Sequence, residues 1–170
     1  YIRSRNGGTN IMSSRGCPFD CHYCINHELH RLYAGKGPLI RKRSVDNVIA
    51  EISSLVNRYG VSRLFFHDDV FVQPLSWIEE FSTKLPRAPH LTYSCSARPE
   101  QITPALCRHL KESGCSNLCI GVESGSETIR RSILNRQITD ERIREAFAIS
   151  RAAGLDTYSF NMIGLPTETV

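Results

Sequence analysis

The chain has 170 residues, a net charge of +4, 41% hydrophobic residues and seven cysteines. That length suits one domain with a real core, and the composition excludes a disordered chain. No apolar run is long enough to span a membrane. Seven cysteines, an odd number and roughly 4% of the chain, also exclude a disulfide scaffold.

The cations are scattered apart from Arg41-Lys42-Arg43, which reads as a solvated loop before a helix, so a nucleic-acid surface is not indicated. No signal peptide is expected before the thiols, and a reducing, cytoplasmic compartment is expected. The chain starts at Tyr1 and stops at Val170 just after a Gly-Leu-Pro turn, so a targeting segment or a further domain is expected outside it.

In chain order the pattern is strand, then helix, repeated. A short strand is expected at residues 10–14, followed by a loop rich in Gly, Cys and His. Ser44 caps a helix with Val45, Val48, Ile49, Ile52 and Leu55 at helical spacing, ended by Tyr59-Gly60. Residues 61–67 read as a buried strand. Trp77, Ile78 and Phe81 mark a helix closed by Pro86. Residues 91–96 form the next strand, and Thr103-Pro104 opens a helix through Leu106 and Leu110 that Gly114 closes. Residues 118–122 are a fourth strand. A short helix over 127–134 follows, then a longer one capped by Thr139 and ended by Gly154, and a fifth strand over 157–163.

Alternation of this kind predicts parallel βα units in a curved, open, barrel-like α/β sheet, with a flat doubly wound sheet as the alternative. Either arrangement puts the site at the C-terminal ends of the strands. Cys17, Asp68, Ser96, Glu123 and Gly164 fall there.

The strongest local signal is Gly16-Cys17-Pro18-Phe19-Asp20-Cys21-His22-Tyr23-Cys24. Three thiols within eight residues can wrap one compact metal centre, with Gly16 allowing the turn off the strand and Pro18 stiffening it. Thiolates suit iron–sulfur clusters and zinc. A complete 4Fe-4S cage takes four thiolates, so three leave one iron open to an outside ligand. Zinc would draw its fourth ligand from His22, His27 or His30. Three loop cysteines without any metal are the remaining reading. Cys115 and Cys119, on one strand face but too far apart to share an ion, read as core, as do Cys95 and Cys107.

The spacing in CPFDCHYC, with the aromatic Tyr23 before the third cysteine, resembles the cysteine motif of the radical S-adenosylmethionine (SAM) superfamily. The resemblance implies that Cys17, Cys21 and Cys24 hold a 4Fe-4S cluster whose open iron takes the amino and carboxylate groups of SAM. It further implies reductive cleavage of SAM to a 5′-deoxyadenosyl radical. Tyr23 is then expected beside the cofactor.

Further matches run along nearly the whole chain. Phe65-Phe66-His67-Asp68-Asp69 stands where the family binds the methionine amino group, which implies a carboxylate–ammonium contact from Asp68 or Asp69. Ser96 resembles a polar SAM contact, and Arg98 is expected to meet a carboxylate. Gly121-Val122-Glu123-Ser124-Gly125-Ser126 resembles a segment of cobalamin-type members. It implies that Glu123 holds the ribose hydroxyls, with Ser124, Gly125 and Ser126 forming the adjoining turn. Arg136 lies where relatives place a basic residue against the SAM carboxylate. Residues 164–169 resemble the family's Gly-Leu-Pro-x-Glu-Thr turn and read as structural.

The resemblance therefore implies a partial (βα) TIM-like barrel of the radical SAM type over residues 1–170, with five of the usual six strands and a C-terminal truncation. It implies a cobalamin-dependent methyltransferase or cyclase, with cobalamin carried by a preceding domain of the parent protein. A methylthiotransferase acting on tRNA or a ribosomal protein, and a non-catalytic iron–sulfur or zinc module, are the alternatives. A reductant such as flavodoxin or ferredoxin is the implied partner, no membrane partner is expected, and the substrate is unknown.

Overall fold

In the computed structural model the described residues are 6–86 and 90–168. Strand β1 (Gly8–Ile11) leads into a small antiparallel ribbon made of β2 (Ser14–Arg15) and β3 (Arg41–Lys42), with helix α1 (Asn26–Leu32) between its strands. Then come α2 (Val45–Tyr59), β4 (Arg63–Phe66), α3 (Leu75–Lys84), β5 (Thr92–Ala97) and α4 (Pro104–Glu112). The chain continues through β6 (Cys115–Glu123), α5 (Glu127–Ser132), α6 (Asp140–Ala152) and β7 (Asp156–Asn161).

The main sheet has the order β1-β4-β5-β6-β7, and every pair in it is parallel. Neighbours in the sheet follow one another along the chain, so the order never reverses. A doubly wound sheet needs such a reversal, and that alternative is therefore excluded. Crossovers of one hand place successive helices on one face. Accordingly α2 packs on α3, α3 on α4 and α4 on α6. The sheet is open, with β1 and β7 at its edges.

Local chemistry explains the elements. Ser44 Oγ accepts from Asn47 N–H at the start of α2, and Gly60 takes the left-handed conformation (φ 64°) at its end. Thr103 and Thr139 cap α4 and α6 in the same way. Between sheet and helices, Phe66, Phe71, Trp77, Phe81 and Tyr93 pack ring on ring, with Trp77 stacked on Phe81 at 5.2 Å. Each such buried side chain contributes about 1.5–3 kcal/mol. The opposite face carries a half-exposed or exposed row that crosses the sheet as Asn10, Phe65, Ser94 and Asn117.

Two expectations need correction. The first strand lies earlier than predicted, because the residues after Ile11 leave the sheet for the ribbon. Cys115 and Cys119 do not share a face: a register shift at the start of β6 turns Cys115 into the core, 2% exposed, and leaves Cys119 only half-buried on the other side. Cys95 and Cys107 are buried as expected. No residue of β7 is buried, and Tyr158 and Phe160 are 61% and 50% exposed.

Candidate metal and cofactor site at the strand ends

The cysteine loop occupies residues 16–25, between β2 and α1. Gly16 makes it possible: its φ is +90°, and a Cβ there would lie 2.0 Å from the Leu39 carbonyl oxygen. Only glycine tolerates both the conformation and the approach. Gly16 N–H donates to Asp69 Oδ2 at 3.1 Å, and Cys24 N–H closes a turn on the Cys21 carbonyl at 3.0 Å.

A segment more than a hundred residues downstream clamps the same loop. His22 donates its N–H to the Leu134 carbonyl at 3.2 Å, and its Nδ1 lies 3.1 Å from the Ile133 carbonyl oxygen. Asn135, at φ 54°, donates to the Asp20 carbonyl at 2.7 Å. Arg136 donates to the Tyr23 hydroxyl at 2.9 Å.

Each of the three thiols has an N–H donor. Phe19 N–H faces the Cys17 sulfur. Arg98 Nη1 stands 2.9 Å from Cys21 Sγ. Asn26 Nδ2 lies 3.5 Å from Cys24 Sγ and also donates to Asp69 Oδ1 at 3.1 Å. Burial raises the Cys17 thiol above its ordinary pKa. The Phe19 N–H opposes that shift, and the nearby Cys21, Asp69 and Cys24 add to it. Among the described residues no three His, Cys, Asp or Glu side chains are gathered to hold a single metal ion.

Beside the loop, at the end of β6, Arg136 is 2% exposed and Glu123 13%. Arg136 Nη1 pairs with Glu123 Oε1 at 3.0 Å, and Nη2 donates to the Gly121 carbonyl at 2.7 Å. Its Nε is buried without a partner. Glu123 sits at φ 74°, an unusual conformation for a side chain of this size, and its carbonyl accepts from Met162 N–H. Burial, then the Glu123 carboxylate, push the Tyr23 phenol upward, while Arg136 draws it down.

The structure gives the two candidate aspartates different surroundings. Asp68 is 6% exposed, and its carboxylate accepts from Ser13 N–H at 3.0 and 3.1 Å and from the hydroxyls of Ser13 and Ser14. It ties the end of β4 to the residues that lead from β1 into the ribbon. Asp69 is the one that reaches the cysteine loop. Ser96 is half-buried on the face of β5 away from the helices. Ser124 is buried, with its Oγ accepting from Ser126 N–H, while Ser126 Oγ caps α5. Gly125 is open on the side where a Cβ would project. Thr169 lies outside the described residues.

Sequence reasoning missed Asn26, Asn135 and Arg130. Arg130, 1% exposed, donates to the carbonyls of Ser124 and Ile138 and pairs with Asp140, which locks the turn after β6. It also missed that Arg98 meets a thiol as well as a carboxylate. Asn26, two residues past the last cysteine of the motif, is the one a reader could have suspected.

The residues fit a thiolate-held cluster and a zwitterionic ligand beside it. N–H donors on every sulfur stabilise thiolates, and the strand end holds the unpartnered Nε of Arg136 together with a carboxylate.

The radical SAM superfamily model matches residues 11–170. An uncharacterised methyltransferase of Pyrococcus horikoshii is 31% identical over 160 residues, covering 94% of this chain and 33% of that protein. The anaerobic magnesium-protoporphyrin IX monomethyl ester cyclase of Cereibacter sphaeroides is 24% identical, covering 92% of this chain and 25% of its own length. The chain thus spans a third or less of these curated relatives. Among solved structures, the radical SAM methyltransferase TsrM from Kitasatospora setae, with cobalamin and a 4Fe-4S cluster bound, superposes with a TM-score of 0.76. It is 18% identical and covers 94% of this chain and 32% of its own.

Proposed function

Since the chain belongs to the radical SAM superfamily, we propose that it is the cofactor-holding core of an enzyme that cleaves SAM by one-electron reduction. One observation carries the reading. The loop with Cys17, Cys21 and Cys24 gives each sulfur an N–H donor and is fastened beside Glu123 and Arg136 at the end of β6. A 4Fe-4S cluster bound there with SAM would supply the electron that breaks the sulfonium C–S bond and the radical chemistry that follows.

The protein's own residues bind and orient. Cys17, Cys21 and Cys24 would hold the cluster as thiolates. Asp69, through Gly16 N–H and the Asn26 amide, fixes the loop against the end of β4. Arg136 spends one nitrogen on Glu123 and keeps Nε for an acceptor such as the SAM carboxylate. Glu123 Oε2 has no hydrogen bond among the described residues and is the acceptor offered to the ribose hydroxyls. Tyr23, which touches Arg136, and Ser96 and Gly125 are the further contacts proposed for the cofactor. The similarity to methyltransferases and a cyclase supports a methyl-transfer or cyclising outcome, with cobalamin in the parent protein and a low-potential electron carrier such as flavodoxin or ferredoxin as reductant.

Anaerobic reconstitution with iron and sulfide, then EPR of the dithionite-reduced protein with and without SAM, tests this. The expected result is a 4Fe-4S signal that changes when SAM is added. A sound signal indifferent to SAM points to a non-catalytic module, and no cluster in folded protein overturns the reading.

A further inference from the structure

We infer that Arg98 is a positioning residue that sets the reduction potential of the cluster by hydrogen-bonding the Cys21 sulfur. This rests on the three-cysteine reading above. Arg98 follows the last residue of β5, and its guanidinium is fixed from three sides. Glu100 Oε1 accepts from Nη2 at 2.7 Å and from Nε at 3.2 Å. The plane lies over the Phe19 ring at 3.9 Å, and Nη1 faces Cys21 Sγ at 2.9 Å. Cys21 is the most enclosed thiol of the loop, 7% exposed, and Arg98 is largely enclosed too, at 15% for its side chain.

Reduction adds one electron to the cluster and no proton, so the negative charge on its sulfurs rises. A cationic N–H donor held against one of those sulfurs stabilises the reduced form more than the oxidised form. Arg98 therefore makes the cluster easier to reduce by a low-potential one-electron carrier. Glu100 opposes this by neutralising part of the guanidinium charge. Arginine suits the role because its planar fork can serve Glu100 and Cys21 together while stacking on Phe19.

The test is an EPR redox titration of the reconstituted full chain, with iron and sulfide counted for each variant. In R98Q, cluster content stays at the wild-type level. The ratio of reduced to oxidised cluster at a fixed applied potential falls about tenfold, a negative displacement of about 59 mV for a one-electron couple. E100Q moves the ratio the other way, because the guanidinium charge is no longer balanced. R98K moves it as R98Q does but less, since an ammonium lacks the planar fork. A fully loaded R98Q with an unmoved ratio overturns the inference. Should R98Q fail to load, an R98K variant that titrates as wild type overturns it instead. A wild-type chain that takes up no cluster refutes the proposed function and is distinguishable from both.

Discussion

Replacing Arg136 with Met probes the joint between the cysteine loop and the end of β6. The guanidinium is 2% exposed and makes three hydrogen bonds, to Glu123, Gly121 and Tyr23, at 2.7–3.0 Å. Met fills much of the volume but leaves the Glu123 carboxylate, 13% exposed, without its counter-charge. Breaking one side of a buried pair costs about 3–5 kcal/mol, and the residual exposure of Glu123 puts this case at the lower end, about 3 kcal/mol. With an m-value of about 2 kcal/mol/M in urea, the unfolding midpoint falls by about 1.5 M. The double variant R136M/E123Q removes both charges and costs less than R136M and E123Q added together, because neither is left stranded. Equilibrium urea unfolding of the four proteins measures this. A cost below about 1 kcal/mol for R136M, or strict additivity, would refute the account of a buried, mutually dependent pair.

Three further outcomes follow from the same geometry. G16A places a methyl group 2.0 Å from the Leu39 carbonyl oxygen at φ +90°. The variant is expected to reconstitute with little iron, and wild-type loading would contradict the assigned crossing of the two segments. D68N turns an acceptor facing Ser13 and Ser14 into a donor, costing about 2–3 kcal/mol of stability. SAM affinity by calorimetry should hold, and the reverse pattern would return Asp68 to the cofactor.

Burial lowers the Lys42 amine to about 8, with Asp68 pulling the other way. In the unfolded chain the same amine titrates near ~10.4. Between these values the unfolded state binds more protons, so this group makes stability rise with pH from about 8 to above 10, by at most about 3 kcal/mol. K42M should lack that slope, and equal slopes in both proteins would count against it.

What could be read from the sequence was what repeats locally. Val45, Val48 and Ile52 mark α2 because a helix returns every three to four residues to one face, and all three are buried. Helix α1 escaped because its apolar residues Leu29 and Leu32 are exposed, so no burial pattern marks it. The ribbon of β2 and β3 escaped because each strand has two residues, mostly charged. Cys119 was misplaced by a single bulge, which inverts every later side chain of the strand. The cysteines of the candidate centre were legible as a spacing. Their clamps at residues 133–136 were not, because contacts over such separations leave no local periodicity.

Those clamps also impose an order on synthesis. The hydrogen bonds from Ile133, Asn135 and Arg136 to the loop span 111, 115 and 113 residues of chain. At about 5–20 residues per second, the cysteines leave the ribosome about 5–25 s before the residues that fasten them. For that interval the three thiols stand in a growing chain whose loop is still open on its β6 side. That interval closes when Arg136 reaches the Tyr23 hydroxyl.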